Sequence, residues 1–193
     1  MDEQKIVRTI TNIGITAKRL ERYTDYIRDL HAIEETQISY ENTVLPDFLK
    51  DVSDAFSVVA NQHNKRIECV YHVPVCKVYL DKELVFRVLE NIFVNALRYA
   101  KESVRFTYTL DRTTLTIKIV DDGEGFSDKL LQKTETLFYS EDTTGEHIGL
   151  GLATSRILCQ KHGGEITLCN EAPLGACVGI TFSVRRDSDS KNS

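Results

Sequence analysis

Residues 104–126 read VRFTYTLDRTTLTIKIVDDGEGF, and the architecture follows from how this stretch is patterned. Val104, Phe106, Tyr108 and Leu110 alternate with Arg105, Thr107 and Thr109, and Leu115, Ile117 and Ile119 alternate with Thr116 and Lys118. A period of two with one apolar set marks a half-buried strand, so the spacing predicts a hairpin over 104–110 and 114–120, turning across Asp111–Arg112. The second strand runs straight into Asp121-Asp122-Gly123-Glu124-Gly125, residues suited to a turn.

Before the hairpin the period changes to that of a helix. Leu84, Val85, Val88, Leu89, Ile92, Phe93 and Ala96 line one face of a helix over about 82–100, with Asp81 placed to cap its first turn. Pro46 suits the first turn of another helix, whose apolar face is Phe48, Leu49, Val52, Ala55, Phe56 and Val59. Strands are expected at 67–73 and 76–80 around Pro74, and at 165–170 and 177–184. A helix over about 150–161 ends at Gly163, a C′ glycine. Residues 127–147 are polar and irregular, and too long for a simple connection. The predicted fold is an α/β (α+β) sandwich, with helices on one face of a mixed, mostly antiparallel sheet.

Residues 4–34 form a separate pattern. Ile6, Ile10, Ile13, Ala17, Leu20, Thr24, Ile27 and His31 recur at alternating spacings of four and three, the seam of a heptad helix. Such a stripe is buried either in a bundle with a partner helix or against the chain's own domain. No second heptad helix lies nearby in the chain, which favours bundling. Residues 35–45 read as a linker or short strand, and 187–193 as a disordered tail. The expected divisions are therefore 1–44, 45–186 and 187–193.

Composition excludes several classes. Hydrophobic residues at 41% with 27% charged fit an ordinary soluble domain. A net charge of −5 without a Lys/Arg cluster argues against a nucleic-acid partner. No apolar run reaches the roughly 20 residues of a membrane span. The five cysteines contain no C-x-x-C and read as small hydrophobes in a reducing compartment. Cys159 and His162 share a helical spacing but lack the further ligands of a metal site.

Three short motifs carry the chemistry. In ENIFVNALRYA (90–100), Asn91 and Asn95 lie four apart on one helix face, where two neutral amide oxygens can meet one hard cation beside phosphate charge. Arg98 and Tyr99 follow one turn on, within reach of a phosphate. Read alone, this is equally a helix with two solvated asparagines. In VDDGEGF (120–126), a buried Asp121 can accept from an exocyclic amine such as adenine N6, and Gly123 and Gly125 admit a flat ring close to the backbone. In HIGLGLATS (147–155), a glycine loop opens into a helix whose first N–H groups suit phosphate. No P-loop occurs, and the dinucleotide fingerprint fails at Thr154.

In this order the motifs resemble the catalytic domain of bacterial sensor histidine kinases, in the ATPase superfamily shared with gyrase, Hsp90 and MutL. Residues 91–99 resemble the N box, 121–125 the G1 box, Phe138–Tyr139 the F box and 149–153 the G2 box, and His162–Gly164 the following His-Gly-Gly. The resemblance covers about 45–186 and implies the Bergerat-type ATP-binding fold. It implies Mg²⁺ on Asn95 with Asn91 in support, and adenine read by Asp121 and lined by Gly123, Gly125 and Phe126. Arg98 and Tyr99 would approach the triphosphate, with Gly149, Leu150, Gly151 and Leu152 giving phosphate contacts and 127–148 forming the ATP lid. Asn91 and Arg98 are the residues it would place in catalysis. The N-terminal helix is similar to the second helix of the family's dimerisation hairpin. That likeness implies a homodimer, an upstream phosphoacceptor helix, a response-regulator receiver domain as partner, and a cytoplasmic portion of a protein anchored in the cell membrane.

Superfamily members that hydrolyse ATP place Glu four residues before the Mg-binding Asn. Here that position is Asn91, which cannot activate water. Phosphoryl transfer to histidine is therefore the expected activity. None of the five histidines (31, 63, 72, 147, 162) is followed by the acid and proline of a phosphoacceptor box, so the acceptor is expected outside these 193 residues. The lid departs from the family in holding Ser140 and His147 at its usual Arg and Gly positions, with no Arg between 112 and 156. The alternative is a nucleotide-binding interaction module with little turnover.

Overall fold

A computed structural model describes residues 37–132, 150–172 and 175–186, with isolated positions (9, 13, 14, 16, 17, 24 and 35) before them. Those isolated positions are helical, but the heptad seam as a whole, most of the 127–148 lid and the tail lie outside the described residues. Twelve elements follow in order: β1 (Glu41–Val44), α1 (Leu45–Gln62), β2 (Arg66–His72), β3 (Lys77–Leu80), α2 (Lys82–Tyr99), β4 (Ser103–Asp111), β5 (Thr114–Asp121), α3 (Asp128–Gln132), α4 (Leu150–Lys161), β6 (Ile166–Asn170), β7 (Ala176–Ser183) and β8 (Arg185–Arg186).

The alternating stretch over 104–120 forms the centre of a five-stranded sheet, ordered β2-β4-β5-β7-β6. β4 and β5 pair antiparallel from Val104↔Asp121 to Asp111↔Thr114. The ladder runs one residue further than expected, and the turn falls at Arg112–Thr113 rather than Asp111–Arg112. Arg112 takes the positive φ (45°) that so tight a reversal requires. Only β2 joins in parallel, against β4, so the sheet is mixed and mostly antiparallel as expected.

Pro74 separates two strands that go to different sheets. β2 takes an edge of the main sheet, whereas β3 pairs with β1 and β8 in a small three-stranded sheet that the sequence reading did not anticipate. Residues 35–45 thus supply a true strand, β1.

The apolar positions of both hairpin strands face the helices. Val104, Phe106 and Tyr108 of β4 and Leu115, Ile117 and Ile119 of β5 are buried with Leu49, Val52 and Phe56 of α1 and Val88, Leu89, Ile92 and Phe93 of α2. Phe56 stacks on Phe93 at 4.4 Å, and both contact Phe106, joining the helix layer to the sheet. Tyr108 buries a hydroxyl in this layer, satisfied by Ser53 at 2.9 Å.

Asp81 caps α2 as expected, its Oδ1 accepting from the Leu84 N–H at 2.9 Å. Its Oδ2 accepts from Ser39 N–H at 2.8 Å, tying the segment before β1 to the same point. His162 of the His-Gly-Gly is fully buried and accepts the Asp81 N–H on Nε2 at 3.1 Å. Burial pulls its pKa below the ordinary value, which keeps the ring neutral and able to accept. Gly163 then ends α4 at φ 73°, where the Gly164 N–H bonds back to the Cys159 carbonyl at 2.8 Å.

Candidate nucleotide site

α2 presents Asn91 and Asn95 half-buried on one face, with Arg98 and Tyr99 exposed at its end. α4 starts against that face. A Cβ built on Gly151 would lie 3.9 Å from the Cβ and Cγ of Asn91. One turn later Ser155, fully buried, accepts from Asn91 Nδ2 at 3.4 Å. With the amide nitrogen turned toward Ser155, the carbonyl oxygen of Asn91 is left for a cation. Ser155 has a local signal in hindsight, four residues after Gly151 on the same helix face. Glu90 is exposed, so no carboxylate replaces Asn91 on that face.

Asp121 closes the other end of the site from the tip of β5. It is 5% exposed, and its Oδ1 accepts both the Gly123 N–H at 2.9 Å and the Ala176 N–H at 3.2 Å. Among the described residues no donor reaches Oδ2, which remains an acceptor for a ligand N–H. Burial raises the Asp121 pKa, against the two backbone donors and the more distant Lys65, which lower it.

The glycine requirement is steric. A Cβ on Gly123 would stand 2.5 Å from the Tyr99 carbonyl oxygen, so the 121–125 turn packs directly on the end of α2. This close approach joins the adenine-type motif to the asparagine helix. Gly125 has φ 84°, and a Cβ there would meet Asn170 Oδ1 at 2.8 Å.

Two holding residues went unread in the sequence. Asn170, at the end of β6, mimics a peptide: its Oδ1 accepts the Phe126 N–H at 2.7 Å and its Nδ2 donates to the Phe126 carbonyl at 2.8 Å. Asp122 turns away from the site and gathers the N–H groups of Lys101, Glu102 and Ser103 at 2.7 to 3.1 Å. Burial opposes its charge, but these donors and the Ser103 hydroxyl outweigh it and hold its pKa below the usual carboxylate value. Replacing Asn170 with Ala leaves both Phe126 backbone groups to water. The expected result is ATP affinity weakened roughly three- to tenfold, at about 1 kcal/mol for the lost pair in an exposed setting, with little change in melting temperature. Isothermal titration beside a melting curve checks it.

Of the sequence-predicted site residues, Asn91, Asn95, Arg98, Tyr99, Asp121, Gly123, Gly125, Phe126, Gly151 and Leu152 fall on α2, the 121–126 turn and the first turn of α4. Leu150 begins α4. Gly149, Phe138 and Tyr139 lie outside the described residues. Among the described residues no cluster of His, Cys, Asp or Glu suits a metal, so a cation here would rest on amide oxygens, phosphates and water. Cys159 is buried with its thiol pushed up to about 12, while His162 Nε2 is taken by the Asp81 N–H. No helix among the described residues is long and apolar enough to cross a membrane.

Comparison with known proteins bears on the family and the fold. The sequence model for "Histidine kinase-, DNA gyrase B-, and HSP90-like ATPase" matches residues 80–186. Sensor histidine kinase WalK of Bacillus subtilis is 26% identical over 190 residues, covering 91% of this chain and 31% of WalK. Nisin biosynthesis sensor protein NisK of Lactococcus lactis is 32% identical over 143 residues, covering 71% of this chain and 32% of NisK. The chain thus spans about a third of the length of these curated relatives. In structure it resembles full-length ShkA, solved with AMPPNP (TM-score 0.69, 18% identity, 96% of this chain and 40% of that one). It also resembles the catalytic domain of histidine kinase ThkA (TM-score 0.65, 21% identity, 75% of this chain and 95% of that one). At those identities the structures show a shared fold. The family model covers more than half of the chain and includes every motif placed above from Asn91 to Gly164, so the chain belongs to the histidine kinase-, DNA gyrase B- and HSP90-like ATPase family.

Proposed function

We propose that this chain is the ATP-binding catalytic portion of a two-component sensor histidine kinase. In this reading it binds Mg-ATP and transfers the γ-phosphoryl to a histidine outside residues 1–193, for relay to a response-regulator aspartate. The observation that carries it is the shared face of Asn91 and Asn95, with an amide held by Ser155 at the position where hydrolysing relatives need a carboxylate base.

The site's residues fit the nucleotide and metal. Asp121 Oδ2 accepts the adenine N6 amine, while Gly123 and Gly125 bring the backbone to the ring. Asn95, with Asn91 beside it, offers neutral oxygens to Mg²⁺, a cation that keeps most of its waters and takes few protein ligands. Bound Mg²⁺ supplies neutralisation of the phosphate oxygens. The first N–H groups of α4 face phosphate, and Arg98 pairs with it from the end of α2. With no carboxylate among the described residues of that α2 face to activate water, the γ-phosphoryl survives until an acceptor side chain is brought in line. The proposal extends to dimerisation through the N-terminal helix, a receiver-domain partner and a membrane anchor elsewhere in the full protein, as the likeness of the 4–34 heptad pattern to the family's dimerisation hairpin implies.

The test is transfer in trans. The chain is mixed with γ-labelled ATP, Mg²⁺ and a separate domain carrying an acceptor helix from a related sensor kinase. Acid-labile, alkali-stable label on that helix is the expected result. Tight Mg-ATP binding without any label on histidine would overturn the kinase reading and favour an interaction module of low turnover, the outcome that the Arg-poor 113–155 segment would suit.

A further inference from the structure

On the sheet face turned away from the helices, two cysteines stand directly opposite one another. Cys169 of β6 and Cys177 of β7 are register partners in an antiparallel ladder. The flanking bonds, Glu171 N–H to the Gly175 carbonyl and Thr181 N–H to the Glu165 carbonyl, make 169/177 a hydrogen-bonded pair by alternation. Such pairs have Cα atoms about 5.5 Å apart, inside the roughly 4.4–6.8 Å range that a disulfide spans. The two differ sharply in access: Cys169 is exposed, while Cys177 is 1% exposed. Lys118, ion-paired to Glu171 at 2.9 Å, lies alongside both thiols.

We propose that Cys169 and Cys177 form a thiol pair that a hydroperoxide converts to an intrachain disulfide, and that this closure loosens the adenine end of the site. The exposed Cys169, as its thiolate, attacks the peroxide oxygen. The O–O bond breaks, alcohol or water leaves, and Cys169 becomes a sulfenic acid. The Cys177 sulfur then attacks the sulfenic sulfur, forming the S–S bond, and the displaced hydroxide leaves as water with the Cys177 proton. In total, two thiols and one hydroperoxide give one disulfide, one alcohol (or water) and one water, a two-electron oxidation. Burial and the neighbouring Cys169 push the Cys177 thiol up to about 12, so in the reduced protein it stays protonated and waits for its partner to be oxidised. A small dithiol reverses the step by exchange.

The coupling to the site is short. Cys169 precedes Asn170, which holds Phe126, and Cys177 follows Ala176, whose N–H holds Asp121. Bridging a pair whose N–H and C=O groups already exchange hydrogen bonds forces the hairpin to adjust at those two neighbours. This half of the proposal rests on the adenine reading, whereas the disulfide itself does not.

The intact chain is treated with hydrogen peroxide, alkylated and digested without reductant. The expected product is one linked peptide containing Cys169 and Cys177, two hydrogens lighter, absent from a Cys169→Ser variant and lost on dithiothreitol. Sulfinic acid on Cys169, or a disulfide between two chains with Cys177 still alkylatable, would overturn the pairing. On fully bridged protein, ATP affinity is expected to fall roughly tenfold and return on reduction. Unchanged affinity would overturn the coupling while leaving the disulfide, and absence of ATP binding in the reduced chain would instead count against the proposed function.

Discussion

Changing Asn95 to Ala is expected to remove Mg-dependent ATP binding and to lower phosphoryl transfer about a thousandfold, near 4 kcal/mol in transition-state stabilisation. The side chain is half-buried on the face of α2 that meets the start of α4, and none of the core packing depends on it. The buried neighbours Ile92, Phe93 and Ala96 supply the core packing of this part of α2, and alanine is a better helix former than asparagine by about 0.5 kcal/mol. The variant should therefore melt at or slightly above the parent temperature. That combination separates loss of a metal ligand from loss of fold. Titration of ATP with and without Mg²⁺ reads the effect directly: in the variant the two curves should superimpose. An undiminished Mg²⁺ response would remove Asn95 from the metal site and pass the role to Asn91, whose amide is already committed on one side to Ser155.

Much of this arrangement was legible because its signals are local. The alternation around 104–120, the Asp81 cap and the Gly163 stop each act within a few residues, so periodicity and turn chemistry suffice to place β4, β5, α2 and α4. The asparagine spacing and the Asp121 turn are local too, which is why these candidate residues fall on two elements and a turn that meet. Other features were illegible for the opposite reason. Asn170 grips a backbone 44 positions away, and Asp122 caps a loop some 20 positions upstream. Neither leaves a mark at its own position beyond a polar residue after a strand. The small sheet joins strands 36 and more than 100 positions apart, and two residues of β8 carry no pattern at all. Likewise the Cys169–Cys177 pairing is a matter of register, invisible until β6 and β7 are aligned.

Asp121→Asn is the change that most directly tests how the base is read. The replacement is nearly isosteric, and its Oδ1 can still accept the Gly123 and Ala176 N–H groups. What changes is the other atom: an NH₂ donor stands where Oδ2 accepted. Facing the adenine N6 amine, donor meets donor, and the loss of a charged hydrogen bond plus an unpaired buried group predicts ATP affinity weakened roughly a hundredfold. Guanine offers an O6 acceptor at that position, so preference for ATP over GTP should vanish or reverse. Stability should move the opposite way. Burial raises the Asp121 pKa, so between the ordinary carboxylate value and the raised one the folded chain binds more protons than the unfolded chain, and stability falls as pH rises. Above that window the ionised group carries its full cost in the nucleotide-free protein. The asparagine variant has no charge to bury, and at neutral pH it is expected to melt no lower than the parent. For the unmodified chain, ATP binding should weaken on acidification from a pH higher than an ordinary aspartate would give, as the carboxylate that accepts from N6 becomes protonated, and the variant should lack that step. A variant that keeps its ATP selectivity and the acid step would move adenine recognition away from Asp121. One that loses both while melting at the parent temperature would place recognition on this carboxylate, independently of whether phosphoryl transfer follows.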